Sequence, residues 1–247
     1  MGDLRQNVLV TGASSGIGKM TARLFAAKGF RKFGTSRSSY PDEDGVEMLV
    51  PDVTSDGSVH RCVEDGLTRA GHEDVLVNNA GVWQVSIAEA TLIATARAIF
   101  ETNFFGVVRM TYAVLPAMRK RGSDRIIDVG SLATWVVEPG EAFHSTSKKA
   151  LSGYSEALGY EVWPPDNHVS LVEPGPFRTN PADTLSATEN TIDDYDAVRK
   201  SIRNTLGRAL EKGGDPQRVA ELMPNVARSR APAFRYRAEA AQSGCHF

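Results

Sequence analysis

TGASSGIG, residues 11–18, is the stretch on which the fold turns. It overlaps the end of an apolar, strand-like run, NVLVT at residues 7–11, and opens a helical pattern that continues to about Lys28. A glycine-rich turn between a strand and a helix has a physical use. Gly12, Gly16 and Gly18 allow a tight turn and a close backbone approach to a pyrophosphate. The helix behind them presents unpaired N–H groups and the positive end of its dipole to an anion. Gly12, Ser14, Ser15, Gly16, Ile17 and Gly18 are therefore candidate phosphate-binding residues. A ligand-free βα turn is the plainer alternative.

Working outward, strand-like runs alternate with helical patterns, which is the signature of βαβ units and a parallel sheet. Further strands are expected at 32–36, 47–50, 74–78, 125–129 and 169–172, and a last one at FRYRA, 234–238. Helices are expected at 58–70, along 90–121 with an interruption around Asn103, at 145–162, 194–210 and 216–229. Residues 180–192 are polar and aperiodic, and within 180–230 they read as a substrate lid followed by helices. The expected architecture is a single α/β domain over 1–247, a doubly wound parallel sheet of about seven strands with helices on both faces.

The chain has 247 residues and a formal net charge of -2. That size suits one α/β domain, and that charge points to neither nucleic acid nor an anionic membrane. No apolar run approaches the roughly 18 residues needed to span a bilayer. The first strand begins so early that no signal peptide is expected. Cys62 and Cys245 lie far apart without metal-ligand spacing, so no metal site and a reducing, cytoplasmic setting are the expectations.

Other motifs follow in order. NNAG stands at residues 78–81, Asn103 lies in ETNFFG, Ser131 in DVGS and Lys148 in STSKKAL, and PGPFRT spans 174–179. With the G-x-x-x-G-x-G spacing of the first turn, this series resembles the short-chain dehydrogenase/reductase family over about residues 7–238. The resemblance implies a Rossmann-like fold and a nicotinamide cofactor. It also implies an oxidoreductase that interconverts a carbonyl and an alcohol on a small molecule. Asn79, Ala80 and Gly81 would then line the cofactor, and Asp52 and Val53 would flank its adenine. Pro174, Gly175, Phe177 and Thr179 would meet the nicotinamide end, and Lys148 would hold ribose hydroxyls.

The second strand ends in FGTSRS. An acid there, about 20 residues after the glycine turn, holds a ribose 2′-hydroxyl. This chain has Arg37, whose guanidinium suits a 2′-phosphate, with Ser38 as a further donor. The family resemblance points the same way, to NADP(H).

The resemblance also assigns a catalytic set. Asn103, Ser131 and Lys148 match it, but the position of the family's proton-donating tyrosine, four residues before Lys148, holds His144. Tyr154 is ten residues further on and nearly three helical turns away, so it cannot substitute. A protonated imidazole is a competent acid near neutral pH, whereas a nearby lysine favours its neutral form. Three readings stay open: an NADPH-dependent oxidoreductase with an altered proton step, a non-redox lyase, isomerase or cyclase on the same scaffold, and an inactive or weakened protein that still binds NADPH. Trp83, Leu132, Trp135, Val137 and Phe143 are the expected contacts of an apolar substrate. By resemblance, a homodimer or homotetramer forms through the helices at 103–121 and 145–162.

Overall fold

The computed structural model describes residues 6–37, 41–42, 45–122, 124–162, 167–177, 190 and 192–238. Seven strands form one sheet in the order β3-β2-β1-β4-β5-β6-β7. They are β1 (Asn7–Val10), β2 (Arg31–Thr35), β3 (Glu47–Leu49), β4 (Val75–Asn78), β5 (Arg125–Val129), β6 (His168–Pro174) and β7 (Arg235–Ala238). Every neighbouring pair is parallel. The helices are α1 (Gly16–Ala27), α2 (Asp56–Ala70), α3 (Ile93–Phe100), α4 (Gly106–Arg121), α5 (Ala142–Glu161), α6 (Asp196–Glu211) and α7 (Gln217–Arg228).

Strand side chains alternate between two cores, as a sheet covered on both faces requires. Val8, Val10, Val75, Val77 and Ile127 face α1 and α7 through Phe25, Val219 and Met223. Leu9, Leu76 and Ile126 face α2 and α4 through Val59, Val63, Met110 and Val114. The chain reverses direction along the sheet between β1 and β4, and a crevice opens beyond the carboxyl ends of strands at such a switch point. Among the described residues, no helix is long and apolar enough to cross a membrane.

Most element bounds shift by one to three residues from expectation, and three of the differences have a clear physical reason. The interruption around Asn103 is a π-helical turn, Glu101–Phe105, in which the Gly106 N–H reaches back to the Glu101 carbonyl. It joins α3 to α4 without breaking the rod. Helix α5 begins at Ala142, three residues before the expected Ser145. Its first turn is closed by the Ser145 N–H donating to the Glu141 carbonyl at 2.8 Å, with no side-chain cap to announce it in sequence. Strand β6 runs on through Pro174, paired in register with Ala238 of β7. Proline at a strand's last residue removes only a terminal donor. The strand expected at FRYRA is present as β7, while most of the expected lid, 180–192, lies outside the described residues.

Candidate active site

Two adjoining cavities lie beyond the carboxyl ends of β1, β4, β5 and β6, sharing Ile17, Asn79, Gly81 and Val82 in their walls. The smaller, of about 380 Å³, is bounded by the glycine-rich turn from Gly12 to Gly18, by Ser36 and Arg37 after β2, and by Val53 and Ala80. The turn is close-packed beneath. A Cβ at Gly18 would sit 2.2 Å from the Gly12 carbonyl oxygen and 2.3 Å from Asn79 Nδ2. Above, it is open: Gly16, at φ +52°, has no atom within 4 Å of its Cβ position. The strand-end threonines hold this arrangement. Thr11 Oγ1 accepts from the Asn79 and Ala80 N–H groups at 2.9 Å each, and Asn79 Nδ2 donates to the Thr11 carbonyl at 2.9 Å. Thr35 Oγ1 accepts from the Gly12 N–H at 3.3 Å.

Asp52 takes no part in that wall, whereas its neighbours Pro51 and Val53 do. The Asp52 carboxylate accepts from Thr54 N–H at 2.9 Å and Thr54 Oγ1 at 2.7 Å, and these bonds lower its pKa. Ser38 and Thr179 lie outside the described residues.

The larger cavity, of about 470 Å³, brings together Ser131, His144 and Lys148 with Pro174, Gly175 and Phe177. Ser131 follows β5 and caps a short turn, its Oγ accepting from the Ala133 N–H at 3.1 Å. Lys148 lies on α5 and donates to the Val129 carbonyl at 2.7 Å. Burial drops its pKa to about 8, and the buried Asp128 carboxyl opposes that fall. Asp128 itself is pushed up by burial, against hydrogen bonds from Ser155 Oγ (2.7 Å) and Asn78 Nδ2 (2.9 Å).

His144 sits one turn before Lys148 in the first turn of α5. Burial and then the Lys148 charge push its pKa down to about 4. Its Nδ1 is 3.4 Å from the Val82 carbonyl oxygen. That carbonyl can only accept, so the contact selects the tautomer with hydrogen on Nδ1 and leaves Nε2 with its lone pair.

Asn103 is wholly buried and stands behind the cavity. Its Oδ1 accepts from Val82 N–H at 2.7 Å while its Nδ2 donates to the Val82 carbonyl at 2.9 Å and to Ser147 Oγ at 3.1 Å. Ser147 Oγ in turn donates to the His144 carbonyl at 2.7 Å. Asn103 thus fixes both the carbonyl that meets the imidazole and the backbone that carries it. The π turn is what aims it, since an extra residue in one turn rotates this side chain inward from its helix.

Of the expected substrate contacts, Trp83 and Leu132 line the larger cavity; Trp135, Val137 and Phe143 do not. Trp135 turns away, donating to Glu173 Oε2 at 3.0 Å, with the guanidinium groups of Arg235 and Arg237 against its ring. Val136 and, from α6, Leu206, Ala209 and Leu210 complete the wall. Sequence reasoning passed over Thr11, Thr35, Ser147 and Glu141. The two threonines end strands next to recognised motifs, which was the available signal; Ser147 and Glu141 carry none.

Comparison with known proteins agrees with this architecture. Residues 6–190 match the family model described as short chain dehydrogenase. The chain is 39% identical over 235 residues to a 3-ketodihydrosphingosine reductase of Bacteroides thetaiotaomicron, covering 93% of this chain and 86% of that one. It is 32% identical to retinol dehydrogenase 8 of Bos taurus, covering 96% and 82%. Among solved structures, a short-chain dehydrogenase from Streptomyces avermitilis superposes with a TM-score of 0.84 at 33% identity, covering 96% of this chain and 88% of that chain. A variant of actinorhodin polyketide ketoreductase with NADPH superposes with a TM-score of 0.81 at 26% identity, covering 97% and 98%. With its parallel sheet, its glycine turn and relatives that span nearly its whole length, the chain belongs to the short-chain dehydrogenase family of oxidoreductases.

Proposed function

We propose that this protein is an NADP(H)-dependent oxidoreductase that interconverts a carbonyl and an alcohol on a small apolar substrate, with His144 handling the proton. The observation that carries the reading is the joining of two cavities at Gly81, one built on the glycine turn and the other on Ser131, His144 and Lys148. The open face of Gly16 and the free helix end of α1 suit a pyrophosphate. Arg37, exposed at the cavity edge, suits a 2′-phosphate, with Ser38 beside it in sequence. Val53 would border the adenine, Asn79 to Gly81 the ribose and diphosphate, Lys148 the second ribose, and Pro174, Gly175, Phe177 and Thr179 the nicotinamide end. When bound, that cofactor supplies or takes the hydride. The relatives named as a ketodihydrosphingosine reductase and a retinol dehydrogenase, and the ketoreductase structure with NADPH, support this chemistry.

The chain's own residues then manage the oxygen. The Ser131 hydroxyl polarises it from the cavity wall. The neutral His144 presents Nε2 as an acceptor, so it takes the proton of an alcohol hydroxyl directly, or through one water. In the reductive direction it must first be protonated. With a pKa of about 4, the imidazolium is a strong acid but forms about one molecule in a thousand at pH 7. This scarcity favours one second reading, a protein that binds NADPH and turns over weakly.

Titration calorimetry with NADPH, run beside NADPH oxidation on a panel of ketones and aldehydes, separates the possibilities. Binding with turnover supports the oxidoreductase; binding without turnover supports the weakened protein; conversion of substrate without net NADPH oxidation would point to non-redox chemistry. We further propose a cytoplasmic homo-oligomer joined through α4 and α5, on which Tyr112 and Tyr160 stand exposed.

A further inference from the structure

The larger cavity is mostly apolar, yet two carboxylates, Glu138 and Glu141, stand in its wall. Among the described residues of that wall, the one cation is Lys148, and it is engaged with the Val129 carbonyl. The acids belong to a built turn. The Glu141 N–H donates to the Glu138 carbonyl at 3.2 Å, and the Gly140 carbonyl accepts from Ser86 N–H at 2.9 Å. Gly140 has φ +89°, and a Cβ there would press on Ile202 of α6 and on Val85 at 3.0 Å each. The turn is thereby fixed between α6 and the chain that follows β4.

Glu141 is also aimed. The Trp83 indole N–H donates to its Oε1 at 2.6 Å, and both side chains line the cavity. Burial pushes the Glu141 carboxyl upward; the Trp83 bond opposes this, and the Glu138 charge adds to the push. A like-charged pair beside apolar walls is unfavourable until a cation arrives. Carboxylates next to an aromatic ring are the groups that hold an ammonium. His144 stands in the same wall, about nine-tenths buried, with no partner for Nε2 among the described residues. It lies three residues after Glu141, a separation of about 5 Å along the helix axis. One substrate in this cavity would meet both groups.

We infer that Glu138, Glu141 and Trp83 form an ammonium subsite, and that the substrate class is an amino alcohol or the matching amino ketone with an apolar remainder. The inference rests on the oxidoreductase reading above. The hydroxyl faces Ser131 and His144, the ammonium faces the carboxylate pair, and the apolar part lies against Leu206, Ala209 and Leu210.

Phenylethanolamine and its isostere phenylpropanol, in which a methyl replaces the amino group, test this. Calorimetry on the NADPH-saturated protein reads binding, and NADP⁺ reduction reads turnover in parallel. The amino alcohol should bind at least tenfold more tightly. Glu141→Gln and the exposed Glu138→Gln should each cut the preference several-fold, and the double variant should bring it near one. Equal affinity in the wild type, no binding of either compound, or a preference untouched in the double variant overturns the subsite. Equal kcat/KM for both alcohols also overturns it, while leaving the oxidoreductase reading intact. Preferential amine binding without NADP⁺ reduction does the reverse: the subsite stands and the oxidoreductase reading falls.

Discussion

His144 shows how one ring can set the direction and pH range of a reaction. A phenol, ordinarily titrating near 10, holds its proton at neutral pH; this imidazole, with a pKa of about 4, does not. Replacing it by tyrosine restores a donor beside Lys148, and we expect His144→Tyr to raise ketone reduction by about 100- to 10,000-fold at pH 7, measured as NADPH oxidation. No gain across a broad carbonyl panel would count against a proton-transfer role for this position. The wild type carries its own signature. Its acid form grows about tenfold for each unit of pH lost between 7 and 5, so the reductive rate should climb in that range and flatten near pH 4. The tyrosine variant should lack that climb. At the other end of the site, Arg37→Asp removes the partner of a 2′-phosphate and adds repulsion, so the ratio of NADPH to NADH efficiency should fall by about tenfold or more. An unchanged ratio would sink the assignment. Sequence made Ser131, His144 and Lys148 legible because their chemistry fixes their spacing. It made legible that Lys148 favours a neutral His144, but not the burial that pushes the same way most strongly, nor the tautomer, which is set by Val82, 62 residues away.

Among the elements, the β1-to-α1 turn carries the tightest constraint. A Cβ at Gly12 would already sit 2.9 Å from Ala80 Cα, and at Gly18 the approach to the neighbouring loop is closer still, 2.3 Å from Asn79 Nδ2. Gly18→Ala should therefore push the turn away from the NNAG segment, reduce NADPH affinity at least tenfold by calorimetry, and lower the thermal midpoint. A variant with wild-type affinity would show that the turn has slack the contacts deny. Here sequence was a good guide: buried strands read as short apolar runs, and glycine spacing marked the turn. It was a poorer guide where an element starts without a cap, as α5 does at Ala142, or where packing prolongs one, as β7 prolongs β6 to Pro174. The π turn fell between these. An interruption at Asn103 was legible, but not that the helix would absorb it by one i-to-i+5 bond and so turn an amide onto Val82.

Over the whole molecule, chemistry and stability occupy opposite ends of the sheet. The cavities open at the carboxyl ends of the strands; at the amino ends of β4 and β5 lie three buried acids, Glu73, Asp74 and Asp124. Asp74 is well served, accepting from the Asn7 N–H at 2.6 Å and pairing with His72 and Arg121. Glu73 has no hydrogen-bond partner for either oxygen among the described residues. Burial, aided by the Asp74 charge and opposed by Arg31, lifts its pKa to about 8. Burial likewise lifts Asp124 to about 7, against Arg121. In sequence this segment reads as a polar approach to a strand, and only the sheet above it makes it an interior. The sign of the effect follows from linkage. An unfolded glutamate loses its proton near 4.5 and the folded one near 8, so between these values the folded state holds more protons and stability falls as pH rises. His144, whose folded pKa lies below its unfolded value of 6.5, acts oppositely, but only below pH 6.5. Lys148, folded near 8 against 10.5, acts only above 8. The window from 6.5 to 8 therefore belongs to the raised carboxyls: Glu73, Asp124 up to about 7, and Asp128 and Glu141, which burial also raises. Urea denaturation of the wild type should show a midpoint that declines through that window. Glu73→Gln should raise the midpoint at pH 8, leave it nearly unchanged at pH 5, and make the decline shallower. A flat wild-type profile, or a variant that gains equally at both pH values, would mean that Glu73 is ionised in the fold and neutralised by its neighbours.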